Sequence, residues 1–191
     1  MATYGDKKPM PKVSEWFTVE EVEFSDTAIR LNIPNKAPEV VLARARKVGV
    51  HVMDPIRENW DIPFRPNSWY RSEPLEKVIT WNSGFRRWCA KHAKPWIKQE
   101  ILYKHLAVKA AWDEYFTRKQ HPTGGAVDHE IASVDNDALF FWIKKNLDYD
   151  QLIREFPKPG IPNSGWVHVS YVSESENRHQ YFSVPSYDRY H

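Results

Sequence analysis

The apolar residues of this chain change their spacing once, and that change limits the fold more than any other feature. Up to about residue 118 they recur at helical intervals, as in Val41, Leu42, Ala45, Val48, Val52 and Ile56. Beyond it, short runs alternate apolar and polar residues, as in WVHVSYV at 166–172. A period near 3.6 places side chains on one face of a helix, whereas a period of two places them on one face of a strand. Helical segments first and strands later predict an α+β domain, with a small antiparallel sheet packed against helices.

Local signals fill in this outline. Thr18 and Glu21 have the spacing of a capping box, and Ser25 and Asp26 offer a second helix start. Pro34 and Asn35 break the pattern, Pro38 opens a longer helix, and Pro55 bends that helix near its end. IPFRPNSWYRS, at 62–72, reads as extended. A helical, Trp-rich stretch follows, including EPLEKVITW and KQEILYKHLAVKAAWDEYFTRK; Trp81, Trp88, Trp96 and Trp112 in it suit a core better than a binding platform. GGAVDHEI reads as a strand after a glycine turn. VDNDALFFWIKKNL reads as a helix capped by Asp135 or Asn136, and DQLIREF, WVHVSYV and RHQYFSV as strands. The expected organisation is a flexible segment at 1–13 and one domain at 14–191, with a helical insertion at about 76–117.

The chain has 191 residues, enough to bury a core without disulfides, and a formal net charge of only +2. That charge argues against a dedicated nucleic-acid binder. The lone cysteine, Cys89, excludes an internal disulfide and a Cys-rich zinc module, and its setting suits a half-buried small residue better than a nucleophile. No run resembles a signal peptide or reaches the ~20 apolar residues of a membrane span. The expectation is a chain made in the cytoplasm, with a monomer favoured.

The chemistry concentrates in KQHPTGGAVDHEI. His121 precedes a Pro-Thr-Gly-Gly turn and Asp128 lies in the strand after it. Tight reversal at the glycines lets an imidazole and a carboxylate converge. In WVHVSYV, Val167, Val169 and Tyr171 suit the core, which puts His168 on the opposite, open face. Two imidazoles and a carboxylate form a zinc ligand set that leaves one position for water, as catalytic sites do. On spacing alone, the same residues also suit two surface histidines and a turn aspartate. His129, on the other strand face from Asp128, is not expected to join them.

An ordered series of motifs narrows this choice. KQHPTGGAVD resembles the SxHxxGxAxD motif of the LAS-type zinc peptidases, the D-Ala-D-Ala carboxypeptidases and L-alanyl-D-glutamate peptidases. WVHVSY resembles that family's second histidine motif, LDYDQLIREF its FDQLIxEF segment in a phage-rich branch, and NSWYRS its SGYRS motif. VDNDALFFWIKKNL and EWFTVEEVEFSDTAIRLNIPN are similar to that branch's helix and opening. The series runs from about residue 15 to 172. The resemblance implies that His121, Asp128 and His168 bind Zn2+ and that Arg71 holds a substrate carbonyl or carboxylate. Many relatives carry an acid three positions before the last histidine, where this chain has Gly165. Glu155, on one strand face with Gln151 and Ile153, is the expected general base, and Asp150 the runner-up, as a partner that orients a ligand histidine. Two departures stand out: Lys119 replaces the usual serine, and the helical insertion contains NSGFRR, whose Arg86 competes with Arg71 for the arginine role.

The implied function is hydrolysis of amide bonds in peptidoglycan stem peptides, by a D,D-carboxypeptidase or an L-Ala-D-Glu endopeptidase. Such an enzyme would act on the cell wall as a phage endolysin or as a tail-associated hydrolase of a virion. The alternative is a non-catalytic wall-binding or virion structural protein that kept the fold.

Overall fold

The computed structural model describes residues 10–98 and 105–184. The expected loose segment 1–13 lies outside it up to residue 9, whereas Val13 is buried in the main core. Residues 99–104 of the expected helix KQEILYKHLAVKAAWDEYFTRK also fall outside the described residues.

The N-terminal helices start where their caps dictate. Helix α1 (Val19–Glu23) begins at Thr18, whose hydroxyl accepts from the Glu21 amide while the Glu21 carboxylate accepts from the Thr18 amide. Helix α2 (Asp26–Arg30) begins at Ser25, whose hydroxyl accepts from the Ala28 amide. Helices α3 (Glu39–Val48) and α4 (Asp54–Trp60) are joined by a wide π turn, Gly49–Met53, in which the Asp54 amide reaches back to the Gly49 carbonyl. Pro55 accounts for it: proline offers no N–H and crowds the preceding turn, and a widened turn relieves the clash. The Asp54 carboxylate then accepts from Ser14 Oγ (2.8 Å) and from the amides of Glu15 and Trp16, tying the start of the described chain to this helix.

The Trp-rich segment forms α5 (Glu73–Thr80), a π turn at Trp81–Phe85, α6 (Arg86–Lys91) and α7 (Leu106–Phe116). It has an apolar cluster of its own, built on Trp81, Phe85, Cys89, Val108, Ala111, Trp112 and Tyr115. Trp81 and Trp112 are core residues, as expected. Burial pushes the Cys89 thiol up to about 11, which makes it a poor nucleophile.

Strands β1 (Ala126–His129), β2 (Gln151–Glu155), β3 (Trp166–Ser170) and β4 (Gln180–Val184) form one sheet in the order β1-β3-β2-β4. It is a mixed sheet, not the antiparallel one expected. The pairs β1–β3 and β2–β3 are antiparallel, but β4 runs parallel to β2. The chain leaves β3 and crosses to the far edge of β2 instead of turning back beside β3, so the direction reverses relative to β3 and matches β2. Helix α8 (Asn136–Asn146), capped by the Asp135 side chain, packs over β2 and β3. Val127, Leu152, Val167 and Val169 face the main core with Leu139, Ile143, Met53, Ile56 and Trp69. The alternate residues, among them Asp128, Ile153, Glu155 and His168, line the other face, against the helical segment. Among the described residues, no helix is long and apolar enough to cross a membrane.

Candidate metal centre

His121 opens a single 3-10 turn, His121–Thr123, which ends at Gly124 with a φ of +75°. A Cβ on Gly124 would lie 2.6 Å from the Val41 carbonyl oxygen, so both the left-handed backbone and the close approach to α3 require glycine. The Gly124 carbonyl accepts from Trp69 Nε1 (3.0 Å), which locks the turn against the segment carrying Arg71. Asp128 sits directly opposite His168 in the β1–β3 register. On its other side its backbone pairs with Ser68, whose carbonyl accepts from the Asp128 amide at 2.8 Å. Asn35 anchors the same segment: its amide nitrogen donates to the Tyr70 carbonyl and its oxygen accepts from the Ser72 amide.

These constraints bring His121, Asp128 and His168 together, all buried, with candidate ligand atoms within 4.8 Å of one another. His121 Nε2 is 3.2 Å from Asp128 Oδ2, and His168 Nδ1 is 2.8 Å from Asp128 Oδ1. The outer nitrogens fix the tautomers. His121 Nδ1 faces the Trp69 carbonyl at 2.8 Å; a carbonyl only accepts, so the proton is on Nδ1 and the Nε2 lone pair points inward. His168 Nε2 faces Gln120 Oε1 at 3.0 Å. The orientation of that amide follows from its nitrogen, which donates to Asp150 Oδ2 (3.0 Å) and Ser170 Oγ (2.9 Å), so His168 carries its proton on Nε2. Lone pairs of the two imidazoles would then confront the oxygens of one carboxylate, an arrangement that calls for a proton or a metal ion between them.

For His121 the proton is disfavoured. Burial first, then the charge of Arg71, pulls its pKa below the ordinary imidazole value. Burial opposes ionisation of Asp128, but the imidazoles and Arg71 outweigh it and hold the carboxyl well below the usual carboxylate range. An ionised carboxylate and imidazoles with inward lone pairs form the donor set of a divalent cation, and the residues fit a metal ion.

Searches against protein-family models, curated proteins and solved structures found no match. The centre must therefore be read from its own chemistry.

It opens into a cleft of about 650 Å³ between the sheet and the helical segment. Glu155 lines this cleft, and its carboxylate has no hydrogen-bond or ion-pair partner among the described residues. Burial, then the charge of Asp128, raises its pKa to about 6. Gly165 has a φ of +62°, and a Cβ there would sit 1.9 Å from the Glu155 carbonyl oxygen. No side chain fits at 165.

Arg71 reaches the candidate ligand Asp128 directly. Its guanidinium donates to Asp128 Oδ2 (2.5 Å) and Ser68 Oγ (2.8 Å) and pairs with Glu76 at 3.6 Å, so it clamps a candidate ligand while still lining the cleft. Arg86 stacks on Trp96 and is not among the residues that line the cleft. Asp150 is held by Arg178 (2.7 and 2.6 Å) and by Ser170, and it accepts from Gln120, whose amide oxygen faces His168. Those contacts keep its carboxyl below the usual range, the Arg178 hydrogen bonds being the largest cause. His129 faces the core beside Phe64, and burial pushes it down to about 4. Gln120 and Arg178 were missed from the sequence. Gln120 could have been found by its place beside His121, but nothing in the sequence links Arg178 to Asp150.

Proposed function

We propose that this chain is a zinc-dependent peptidase that hydrolyses amide bonds in peptidoglycan stem peptides. The observation that carries the reading is the inward-facing set of His121 Nε2, Asp128 and His168 Nδ1, opening into a cleft that also holds the Glu155 carboxylate. Three protein ligands leave a coordination position open, which suits catalysis better than a structural role. Zinc, when bound, supplies Lewis acidity toward an amide carbonyl and acidifies water.

The remaining steps belong to the side chains. Glu155 takes the proton of the attacking water and returns it to the leaving amine. Burial raises this carboxyl above the ordinary carboxylate range in the metal-free protein, which favours proton pick-up. Arg71 holds Asp128 in place and presents the rest of its fork to charge developing on the substrate. Gln120, backed by Asp150 and Arg178, keeps the His168 lone pair turned inward. A cell-wall substrate goes with delivery by release on lysis or as part of a virion.

The test compares the purified protein with His168→Ala. Zinc is measured by mass spectrometry, and both proteins are incubated with purified peptidoglycan. The expected result is near-stoichiometric zinc, and new amino termini, with the wild type only. A wild type that binds zinc but releases no amino termini would favour a wall-binding or virion structural protein over an enzyme.

A further inference from the structure

The helical segment gives the cleft a basic wall. Among the described residues, five basic side chains line the cleft, Arg71, Arg87, Arg118, Lys119 and Arg178, against three carboxylates, Glu76, Asp128 and Glu155. Most of that charge is already engaged. Arg71 is bound to Asp128, Arg178 to Asp150, and Arg118 to Glu114 on the surface, and Arg87 is engaged as well. Lys119 differs. Its ammonium lies 3.7 Å from Glu76 Oε1, beyond hydrogen-bonding distance, and Glu76 is a buried carboxylate that it shares with Arg71. No hydrogen bond from Lys119 Nζ is present among the described residues.

The ammonium is nevertheless held in place. It sits 4.4 Å above the ring of Tyr115, which is packed among Phe85, Trp88 and Trp112 and pressed against Gly84. Its backbone amide donates to the Phe116 carbonyl, so the chain leaves α7 at a fixed angle, with Lys119 two residues before His121. The result is a preorganised, partly exposed cation with unused donors, beside the metal-ligand set.

We propose that Lys119 is the anchor for a substrate carboxylate, and that the cleft takes peptides presenting a free carboxylate near the scissile amide. The inference rests on the peptidase reading and names its substrate class. The chemistry fits the charge balance: Glu76 and Asp128 offset Arg71 and Lys119, and a divalent cation with Glu155 leaves an excess positive charge that an anionic peptide neutralises. The carboxylate is either the C-terminal one or that of an acidic residue within the peptide. Recognition of the C-terminal one would make the enzyme a carboxypeptidase.

The test measures binding by calorimetry in the presence of zinc, using the full chain with Glu155→Gln to prevent turnover. Three ligands are compared: a free stem peptide with its carboxyls intact, the same peptide amidated at its C-terminus, and the same peptide amidated at its internal glutamate. Lys119→Met is expected to weaken binding of the intact peptide roughly ten- to a hundredfold, the range of a charge-assisted hydrogen bond. Lys119→Arg retains most of the affinity. One amidated peptide binds equally with and without the Lys119 ammonium, and that peptide identifies the recognised carboxyl. Lys119→Met binding all three ligands as before, or losing affinity for all three equally, would overturn the subsite and leave Lys119 with a structural or Glu155-tuning role. If none of the three binds with Lys119 intact, the stem-peptide reading fails together with the subsite.

Discussion

Replacing Glu155 with glutamine should stabilise the metal-free protein at neutral pH while removing its activity. The pKa of Glu155 rises from 4.5 to about 6, and burial is the main cause. Each unit corresponds to ~1.36 kcal/mol, so the raised value amounts to about 2 kcal/mol. The direction follows from proton uptake. Below pH 4.5 the carboxyl is protonated in both folded and unfolded chains and the mutation changes little through this route. Between pH 4.5 and 6 the unfolded chain releases the proton and the folded one keeps it, so wild-type stability falls as pH rises. Above pH 6 the folded protein carries the full penalty of a desolvated carboxylate, which Glu155→Gln relieves. The cleft leaves the group partly hydrated, so the gain lies at or below that figure. Urea denaturation of both chelator-treated proteins from pH 4 to 8 reads it directly. The difference in unfolding free energy should grow toward ~2 kcal/mol over that window and then level off. A flat difference, or one that favours wild type increasingly as pH rises, would show that Arg71 and Lys119 hold Glu155 as an ordinary carboxylate, and the general-base argument would fail.

Adding zinc at ~100 times its dissociation constant should raise the stability of wild type by roughly 2.7 kcal/mol and leave His121→Ala unmoved; thermal melts with and without chelator test this. Gln120→Leu removes the acceptor that orients His168 and should weaken zinc binding about 10- to 100-fold in competition with a chromophoric chelator; unchanged affinity would show that the tautomer needs no support. Asp54→Ala takes the acceptor from Ser14 Oγ and two backbone amides and should cost about 2–3 kcal/mol by urea denaturation, with zinc affinity intact. Leu152→Ala, on the core face of β2, should cost roughly 2–5 kcal/mol by the same measurement.

How far these features could be read in advance depends on how local their causes are. The caps at Thr18, Ser25 and Asp135 are matters of three residues, and the sequence displays them. The alternation in WVHVSYV was enough to put His168 on one face of β3 and Val167 and Val169 on the other. The direction of β4 was not legible, because which edge a strand joins depends on the path of the connection and not on its own alternation. The same limit applied at the candidate metal centre. His121, Asp128 and His168 lie in short motifs, whereas the hold of Arg71 on Asp128 spans 57 residues. The Arg178–Asp150–Gln120 support depends on the β2–β4 crossover, which only the fold supplies. Even a local signal was incomplete at Pro55: the ring predicted a bend, and the chain accommodated it with a wider turn.

The packing of Gly165 against the Glu155 carbonyl also restricts how this chain can change. A strand-end acid and a neighbouring position barred to every side chain form a coupled pair. An aspartate or glutamate introduced at 165 would first have to push β2 and β3 apart, displacing the very group it was meant to supplement. Sequence drift can therefore not place a second carboxylate at 165 in a single step. Selection would act on positions 155 and 165 as one unit.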